Sequence, residues 1–218
     1  MGKVILSILV AVSFATKASA SESATEKPNI LMIIADQHYA GVMSCAGDQN
    51  LQTPALDSIA KHGVRFEQAY CCYPVCTASR ASIMTGRLSH ELKGASTGND
   101  EGSSGKHSLM PEKSLGKLMK EAGYETAYFG KWHVGGVDPS PQNPWHGFDI
   151  LKDGRRDSET ASEAVAFLEA KHEKPFFLVV SFLNPHDICE WARLKSGLKD
   201  HMPNGDIPLD PPLNTCPK

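Results

Sequence analysis

Two continuous apolar runs set the strongest constraint on how this 218-residue chain can fold. They are NILMIIA at residues 29–35 and PFFLVVSFL at residues 175–183. Each run is shorter than a typical helix, is rich in Ile, Val or Phe, and lacks the polar alternation of a strand with one face in water. These features are typical of strands that are buried on both faces of a parallel sheet.

Helical patterns separate these strands. One helix is predicted to begin at Pro54, after the N-cap residue type Thr53, and to end at Gly63. Further helices are predicted from Cys76 onward, over 114–122 and over 158–172. Further strands are predicted over 64–70 and 125–130. Surface loops are predicted over 89–108 and 138–157. Strands that alternate with helices predict an α/β fold with a mostly parallel central sheet and helices on both faces.

The start of the chain has the pattern of a secretory signal peptide. A positive Lys3 precedes an apolar run over 4–16, and small residues precede a cleavage point after Ala20. The run is too short to span a bilayer, although a short N-terminal anchor is the alternative. Removal of residues 1–20 would leave a flexible leader at 21–27 and a secreted or periplasmic protein without a membrane span.

The charge balance gives no sign of a nucleic-acid or membrane-surface partner. The net charge is −3 at pH 7 and the isoelectric point is about 6.3. Proteins that bind nucleic acid through their surface charge are usually basic instead.

The cysteines need separate interpretation, because an exported chain can form disulfides. They are Cys45, Cys71, Cys72, Cys76, Cys189 and Cys216. Zinc sites usually combine paired CxxC or Cys/His units, and no second pair accompanies the cluster at 71–76. A zinc site is therefore not predicted, and the disulfide pairing is left open.

Several side chains of catalytic type follow closely on predicted strands. They are Asp36, Lys131, His133 and His186. Because ligands bind outside the carboxyl ends of strands in α/β sheets, we expect these side chains to share a site. Lys131 and His133 are two residues apart, which on a strand would place both on one face.

The most specific segment is CTASRASIMTGR at residues 76–87. It resembles the sulfatase signature, in which Cys-x-Pro-Ser-Arg is followed by Thr-Gly-Arg. Three more segments agree in order, namely PNI with ADQ over 28–37, GYETA with GKWH over 123–133, and SF with PH over 181–186. The region from Pro28 to about Glu190 is therefore similar to the N-terminal portion of the sulfatase family, which belongs to the alkaline-phosphatase-like superfamily.

The resemblance implies a sulfuric ester hydrolase of the arylsulfatase type that acts on sulfated small molecules or glycans. Family members oxidise the signature cysteine, here Cys76, to formylglycine, which hydrates to a diol. One diol oxygen attacks the sulfur, and the other hydroxyl lets the intermediate collapse. A formylglycine-generating maturation enzyme is thus an implied partner. A disulfide from Cys76 to Cys71, Cys72 or another cysteine is the alternative.

The resemblance also implies roles for the charged residues. Arg80, on the same helical face as Cys76, would steady the nucleophile and the metal-site carboxylates. Lys131 would bind sulfate, His133 would hold the nucleophile's hydroxyl, and His186 would contact sulfate or act on the leaving oxygen. The first N–H groups of the helix after Cys76 would face the anion. The alternatives are a surface ion pair for Arg80 and structural roles for the histidines.

A metal site is implied at the end of the first strand. Asp36, Gln37 and the modified Cys76 would offer oxygen ligands, which suit Ca²⁺ or alternatively Mg²⁺. Many sulfatases carry two acidic residues here, so the neutral Gln37 gives the site one charge fewer. The alternative for Asp36 alone is a turn or cap residue.

The sequence departs from the family pattern at two points. Ala78 stands where the signature usually has Pro. The chain also ends at Lys218, although the family continues through a further metal-ligand pair and a further sulfate-contacting Lys. We therefore expect a fragment, with 28–218 as the N-terminal part of a catalytic domain.

Three other functions remain open at this stage. A phosphonate monoester or phosphodiester hydrolase of the same superfamily would share the Cys motif and the Asp-Gln loop. A truncated, inactive protein that binds sulfated glycans would keep Cys76 unmodified. A disulfide-stabilised secreted domain would have neither a free nor an oxidised Cys76.

Overall fold

The computed structural model describes residues 27–92, 113–135, 137–189, 192 and 196. The predicted signal peptide, nearly all of the predicted leader, most of the predicted 89–108 loop and Cys216 lie outside these residues. Among the described residues, no helix has the length and apolar character needed to cross a membrane.

Four strands and four α-helices form the described part of the chain. The strands are β1 (Ile30–Asp36), β2 (Glu125–Gly130), β3 (Ile150–Lys152) and β4 (Phe176–Pro185). The helices are α1 (Pro54–His62), α2 (Cys76–Thr85), α3 (Leu115–Glu121) and α4 (Asp157–Glu169), with short 3₁₀ turns at Ser44–Ala46 and Ser89–Glu91.

The strands form one parallel sheet in the order β1-β4-β2-β3. The central strand β4 pairs with β1 on one side and with β2 on the other. Because all four strands run the same way, their carboxyl ends lie at one edge of the sheet. The parallel sheet that the sequence predicts is confirmed.

Helices pack on both faces of this sheet, as predicted. On one face, Tyr128, Phe177 and Val179 form a core with Ala81 and Met84 of α2. The residues that alternate with them face the other way. That second core contains Phe129, Leu178 and Val180 of the sheet with Ala164 and Phe167 of α4.

Strand β1 is buried on one face only, which differs from the prediction. Met32 and its alternate neighbours pack against the first core. On the other face, however, Leu31 is 44% exposed and Ile33 is 51% exposed. Helix α4 packs against β2 and β4, and no described element covers this face of β1.

Two other local predictions are wrong. Residues 64–70 form no strand, and their apolar side chains Val64, Phe66 and Tyr70 are largely exposed. Conversely, the predicted 138–157 loop contains β3. With only three residues, two of them exposed, this edge strand has no apolar run that would reveal it.

The predicted helices are present with small shifts of their ends. Helix α3 begins after Ser114, whose hydroxyl accepts a hydrogen bond from Lys117 N at 3.1 Å. Helix α4 ends at Glu169, three residues before His172, because the backbone at Ala170 is extended. Thr53 is at the N-cap of α1, but its side chain does not cap the helix.

Candidate active site

The carboxyl edge of the sheet brings the predicted site residues together. Asp36 is the last residue of β1, Lys131 directly follows β2, and His186 directly follows β4. Helix α2 begins at Cys76 and carries Arg80 one turn later. Three strands and one helix therefore deliver these side chains to one place, as the sequence predicts.

Gly130 allows β2 to pass close to β4 just before Lys131. Its backbone is left-handed, with φ of +94°. A Cβ atom at this position would lie only 2.1 Å from the carbonyl oxygen of Ser181. Only glycine tolerates both conditions, so this residue fixes where the chain leaves the sheet.

A buried ionic cluster lies at this edge. Asp36 Oδ2 is 2.5 Å from Lys131 Nζ and 3.1 Å from Arg80 Nη2. All three residues are at most 6% exposed. One carboxylate between two cations leaves an excess of positive charge away from solvent, which suits a site for an anion.

The charges around Asp36 keep it ionised. Burial alone would raise its pKa, but the hydrogen bond from Lys131 and the positive charges of Lys131, Arg80 and His186 together lower the pKa below its ordinary value. The influence of His186 shows that this half-buried residue lies within electrostatic reach of the cluster.

Cys76 lies beside the imidazole of His133. A hydrogen bond with His133 is the main reason that the pKa of the Cys76 thiol is lowered from 9.0 to about 7, against the opposing effect of burial. The charge of Lys131 lowers it further. Thr77, the next residue of α2, contacts His133 Nε2 through its hydroxyl at 3.2 Å.

The N-terminus of α2 provides further positive potential. The hydrogen bond from Ser79 N to Val75 O, at 2.9 Å, closes the first turn of the helix. The N–H groups of Cys76, Thr77 and Ala78 precede that bond and have no acceptor within the helix. The helix N-terminus thus favours a negative charge next to Cys76.

Two predicted site residues have left-handed backbones although they are not glycines. Gln37 has φ of 58° and His133 has φ of 43°. In the described part of the chain no other non-glycine residue has a positive φ. Such conformations cost on the order of 1 kcal/mol or more and cluster at functional sites.

The conformation of His133 corrects one detail of the prediction. Strand β2 ends at Gly130, so Lys131 and His133 do not share the face of a strand. The left-handed turn at His133 nevertheless brings its ring to Thr77 and Cys76, while Lys131 reaches Asp36.

The family model for sulfatases matches residues 28–196 of the chain. This range contains every residue of the site described above. The chain belongs to the sulfatase family.

Curated relatives and solved structures agree with this family. An N-acetylglucosamine-6-O-sulfatase of Bacteroides thetaiotaomicron is 33% identical over 200 residues, covering 82% of the chain. A delta 4,5-hexuronate-2-O-sulfatase of the same species is 30% identical over 215 residues, covering 91% of the chain. A protein whose structure was solved in complex with its substrate D-glucosamine-2-N,6-O-disulfate matches 74% of the chain, with a TM-score of 0.57 and 30% identity. This match also places the fold among the alkaline-phosphatase-like sulfatases.

The chain spans only part of these proteins. It covers 34% of the first relative, 41% of the second and 35% of the solved structure. The residues described above therefore belong to a chain that corresponds to about a third to two fifths of each of these proteins.

The donors present fit part of a divalent-cation site. Asp36 offers a buried, ionised carboxylate and Gln37 a neutral amide oxygen, and such oxygen donors suit Ca²⁺ or Mg²⁺. Among residues 27–92, 113–135 and 137–189, however, no group of three or more His, Cys, Asp or Glu side chains has metal-binding geometry. Because Ca²⁺ takes six to eight oxygens, a complete Ca²⁺ ligand set at this position would need donors beyond Asp36 and Gln37.

The structure distinguishes between the alternatives for Arg80 and for Cys76. Arg80 is buried and bonded to four oxygen atoms, so it is not a surface ion pair. Cys76 is a free thiol, as are the other described cysteines Cys45, Cys71, Cys72 and Cys189.

Sequence analysis missed several residues of the site. Thr77, Tyr128 and Ser181 bond to its members. Asp153 accepts the N–H of Trp132, between Lys131 and His133. Thr77 and Ser181 lie inside the motifs that carry the family resemblance, which is the only signal that could have indicated them. Nothing in the local sequence distinguishes Tyr128 or Asp153 from other core and loop residues.

Proposed function

We propose that the natural full-length protein hydrolyses sulfate esters with a formylglycine derived from Cys76, and that its substrates are sulfated sugars. One observation carries this proposal. The buried cluster of Asp36, Arg80 and Lys131 has two cations for one carboxylate and lies beside a nucleophile position at a helix N-terminus. This arrangement would stabilise an anionic group while the residue at position 76 attacks it.

Each residue would have a separate part in catalysis. Lys131 and the first N–H groups of α2 would bind the sulfate oxygens. His133, which contacts Cys76, would hold or move the proton at that position. His186 would deliver a proton to the leaving oxygen, and Arg80 would keep Asp36 in place.

Two groups would add to these residues. Formylglycine at position 76 would supply an oxygen nucleophile. A divalent cation held by Asp36 and Gln37 would neutralise negative charge. The ionised state of Asp36 and the position of Gln37 directly after β1 support this role for both residues.

The preference for sugars rests on the relatives. Two of them are named for sulfate esters of N-acetylglucosamine and hexuronate, and the solved structure holds a glucosamine disulfate. These two relatives differ in the position of the sulfate, which is 6-O in one and 2-O in the other. The proposal therefore specifies the class of substrate and not the position of its sulfate.

The cellular setting follows from the same proposal. The predicted signal peptide at residues 1–20 would export the protein to the periplasm or the medium. A formylglycine-generating enzyme would have to act on Cys76, within a signature in which Ala78 replaces the usual Pro.

The test uses the natural full-length protein, co-expressed with a formylglycine-generating enzyme. Conversion of Cys76 is measured by peptide mass spectrometry. Release of inorganic sulfate is measured from N-acetylglucosamine-6-sulfate and from 4-nitrophenyl sulfate, and phenyl phosphonate esters are assayed in parallel. Cys76→Ala serves as the matched variant without a nucleophile.

We expect conversion of Cys76, sulfate release that Cys76→Ala abolishes, and a higher kcat/KM for the sugar sulfate. A higher kcat/KM for phosphonate esters would instead identify the phosphonate hydrolase that the Asp-Gln loop also allows. Binding of sulfated sugars without conversion or turnover would identify an inactive binding protein.

A further inference from the structure

The peptide bond between Lys131 and Trp132 is held on its carbonyl side by three donors. The Lys131 carbonyl oxygen accepts a hydrogen bond from Arg80 Nη1 at 2.6 Å. It also accepts from the Tyr128 hydroxyl at 2.6 Å and from the Ser181 hydroxyl at 2.8 Å. The donors come from α2, β2 and β4, and all are buried. A carbonyl oxygen has two lone pairs, so three donors satisfy it completely.

The same peptide is also held on its amide side. Trp132 N donates to Asp153 Oδ1 at 2.9 Å, from the loop that follows β3. The Trp132 side chain is buried, and its Nε1 donates to Val137 O at 2.9 Å. Opposed hydrogen bonds on the two sides of one peptide plane prevent that plane from rotating.

Two residues that act in the proposed reaction lie close to this peptide in the chain. Lys131 precedes it, and His133 follows Trp132 with a left-handed backbone of φ 43°. Because that conformation is unfavourable for a non-glycine residue, the surrounding structure must hold it in place.

We propose that the hydroxyls of Tyr128 and Ser181, together with the Asp153 carboxylate, clamp the 131–132 peptide and thereby position Lys131 and His133. These three residues are positioning residues, because they act through the backbone and touch no reacting atom. This role rests on the proposed function for its effect on catalysis, but the clamp itself is a property of the fold.

The protonation state of the Tyr128 hydroxyl fits this role. Burial raises the pKa of its hydroxyl above the ordinary value, despite the opposing charge of Arg80. The group therefore keeps its proton and remains a donor to the Lys131 carbonyl at any physiological pH.

The first measurement is hydrogen exchange at the Trp132 amide in the full-length protein, resolved by fragmentation mass spectrometry. In Asp153→Ala we expect exchange to be at least about tenfold faster, and Asp153→Asn, which keeps an acceptor oxygen, should restore most of the protection. The decisive variant is the double change Tyr128→Phe with Ser181→Ala. It removes two donors to the carbonyl oxygen and two acceptors of Arg80 Nη1. It leaves the contact on the amide side in place, yet should also speed exchange of that amide.

Matched controls separate this effect from general loosening. Tyr124→Phe changes the tyrosine directly before β2, at the end of the strand away from the clamp. Asp48→Ala removes a carboxylate that accepts the Asn50 amide at 2.7 Å. Neither should change exchange at Trp132. The Phe129 amide within β2 reports on opening of the sheet and should keep its protection in every variant.

Kinetics then link the clamp to catalysis. In the double variant and in Asp153→Ala, kcat should fall about tenfold or more while KM changes less than about threefold, since misplaced groups weaken transition-state contacts most. If the double variant changes neither Trp132 exchange nor kcat, the clamp is refuted. If the wild-type protein hydrolyses no sulfate ester, the proposed function fails, but Trp132 exchange still decides whether the clamp exists.

Discussion

Arg80 Nη2 lies 3.1 Å from Asp36 Oδ2, so the middle of α2 is joined to the last residue of β1 within the protein interior. The other terminal nitrogen, Nη1, bonds to Tyr128, Ser181 and the Lys131 carbonyl. A planar guanidinium can direct its donors to partners on both sides at once, whereas an ammonium group cannot. The site therefore depends on the shape of Arg80 as well as on its charge.

Replacement of this residue by lysine should be strongly destabilising. Arg80→Lys keeps the charge but leaves the buried hydroxyl oxygens of Tyr128 and Ser181 without the donor that they share. We expect a loss of about 1–3 kcal/mol in the free energy of unfolding, the range for leaving a buried hydrogen-bonding group without its partner. Urea denaturation of the full-length protein measures it.

The matched control for this substitution is Arg65→Lys. Arg65 forms an ion pair with Glu67 in a much more exposed setting, at 2.9 Å. Its replacement should change stability by less than about 0.5 kcal/mol. Equal effects of the two substitutions would show that the bond geometry of Arg80 does not matter.

The parts of the fold that could be predicted are those with a local signal. Strand β4 is a continuous apolar run, and β2 follows a helix that Gly123 ends. The site residues Asp36, Lys131 and His186 were predictable because each directly follows a strand, and a parallel sheet brings such positions to one edge. The motif at Cys76 indicated the candidate nucleophile and Arg80.

What could not be predicted depends on contacts between distant segments. The pairing that defines β3 comes from β2, and the exposed face of β1 depends on which helix packs there. The left-handed turn at His133 cannot be predicted from GKWH alone, because a histidine rarely has this conformation. The role of Asp153 could not be predicted either, because its partner Trp132 is 21 residues away in the chain.

Gly130 should tolerate no side chain. In Gly130→Ala the new methyl group would meet the Ser181 carbonyl at 2.1 Å and the backbone would remain left-handed. We expect a loss of more than about 2 kcal/mol in unfolding free energy, from the combined backbone penalty and overpacking. Gly154→Ala is the control, because its methyl group would meet no atom within 4 Å and the change should be neutral or slightly stabilising. A similar loss at both positions would contradict this account.

The left-handed backbone of Gln37 predicts an unusual order of stabilities. Asparagine tolerates positive φ better than glutamine, whereas a β-branched residue is strongly disfavoured there. Gln37→Asn should therefore be neutral or slightly stabilising, and Gln37→Val should lose about 1–2 kcal/mol in unfolding free energy. Gln37 is exposed, so packing contributes little to either value.

An exposed glutamine with an ordinary backbone provides the comparison. Gln68 is exposed and has no positive φ, so Gln68→Val should change stability by less than about 0.5 kcal/mol. Thermal unfolding of the four proteins measures all these values. If valine is tolerated equally at both positions, the left-handed conformation of Gln37 is not a constraint.

The thiol of Cys76 should ionise near neutral pH in protein expressed without a formylglycine-generating enzyme. Its hydrogen bond with His133, opposed by burial and assisted by Lys131, lowers the pKa from 9.0 to about 7. Alkylation by iodoacetamide requires the thiolate, so its rate at Cys76 should reach half of its maximum near pH 7. The Phe66–Arg80 tryptic peptide, sequenced by fragmentation, separates Cys76 from Cys71 and Cys72.

The same pKa fixes the sign of a stability effect. Since the folded pKa lies below the ordinary value of 9.0, ionisation of Cys76 favours the folded state. The stabilisation of the folded state by the Cys76 thiolate is fully present above pH 9 and is lost as the pH falls through about 7. His133→Asn removes the imidazole but tolerates the left-handed backbone, so it should move the alkylation midpoint upward toward 9, whereas His62→Asn on exposed α1 should not. An unchanged midpoint in His133→Asn would show that the imidazole does not activate position 76, and the proton-transfer role proposed for His133 would have to be abandoned.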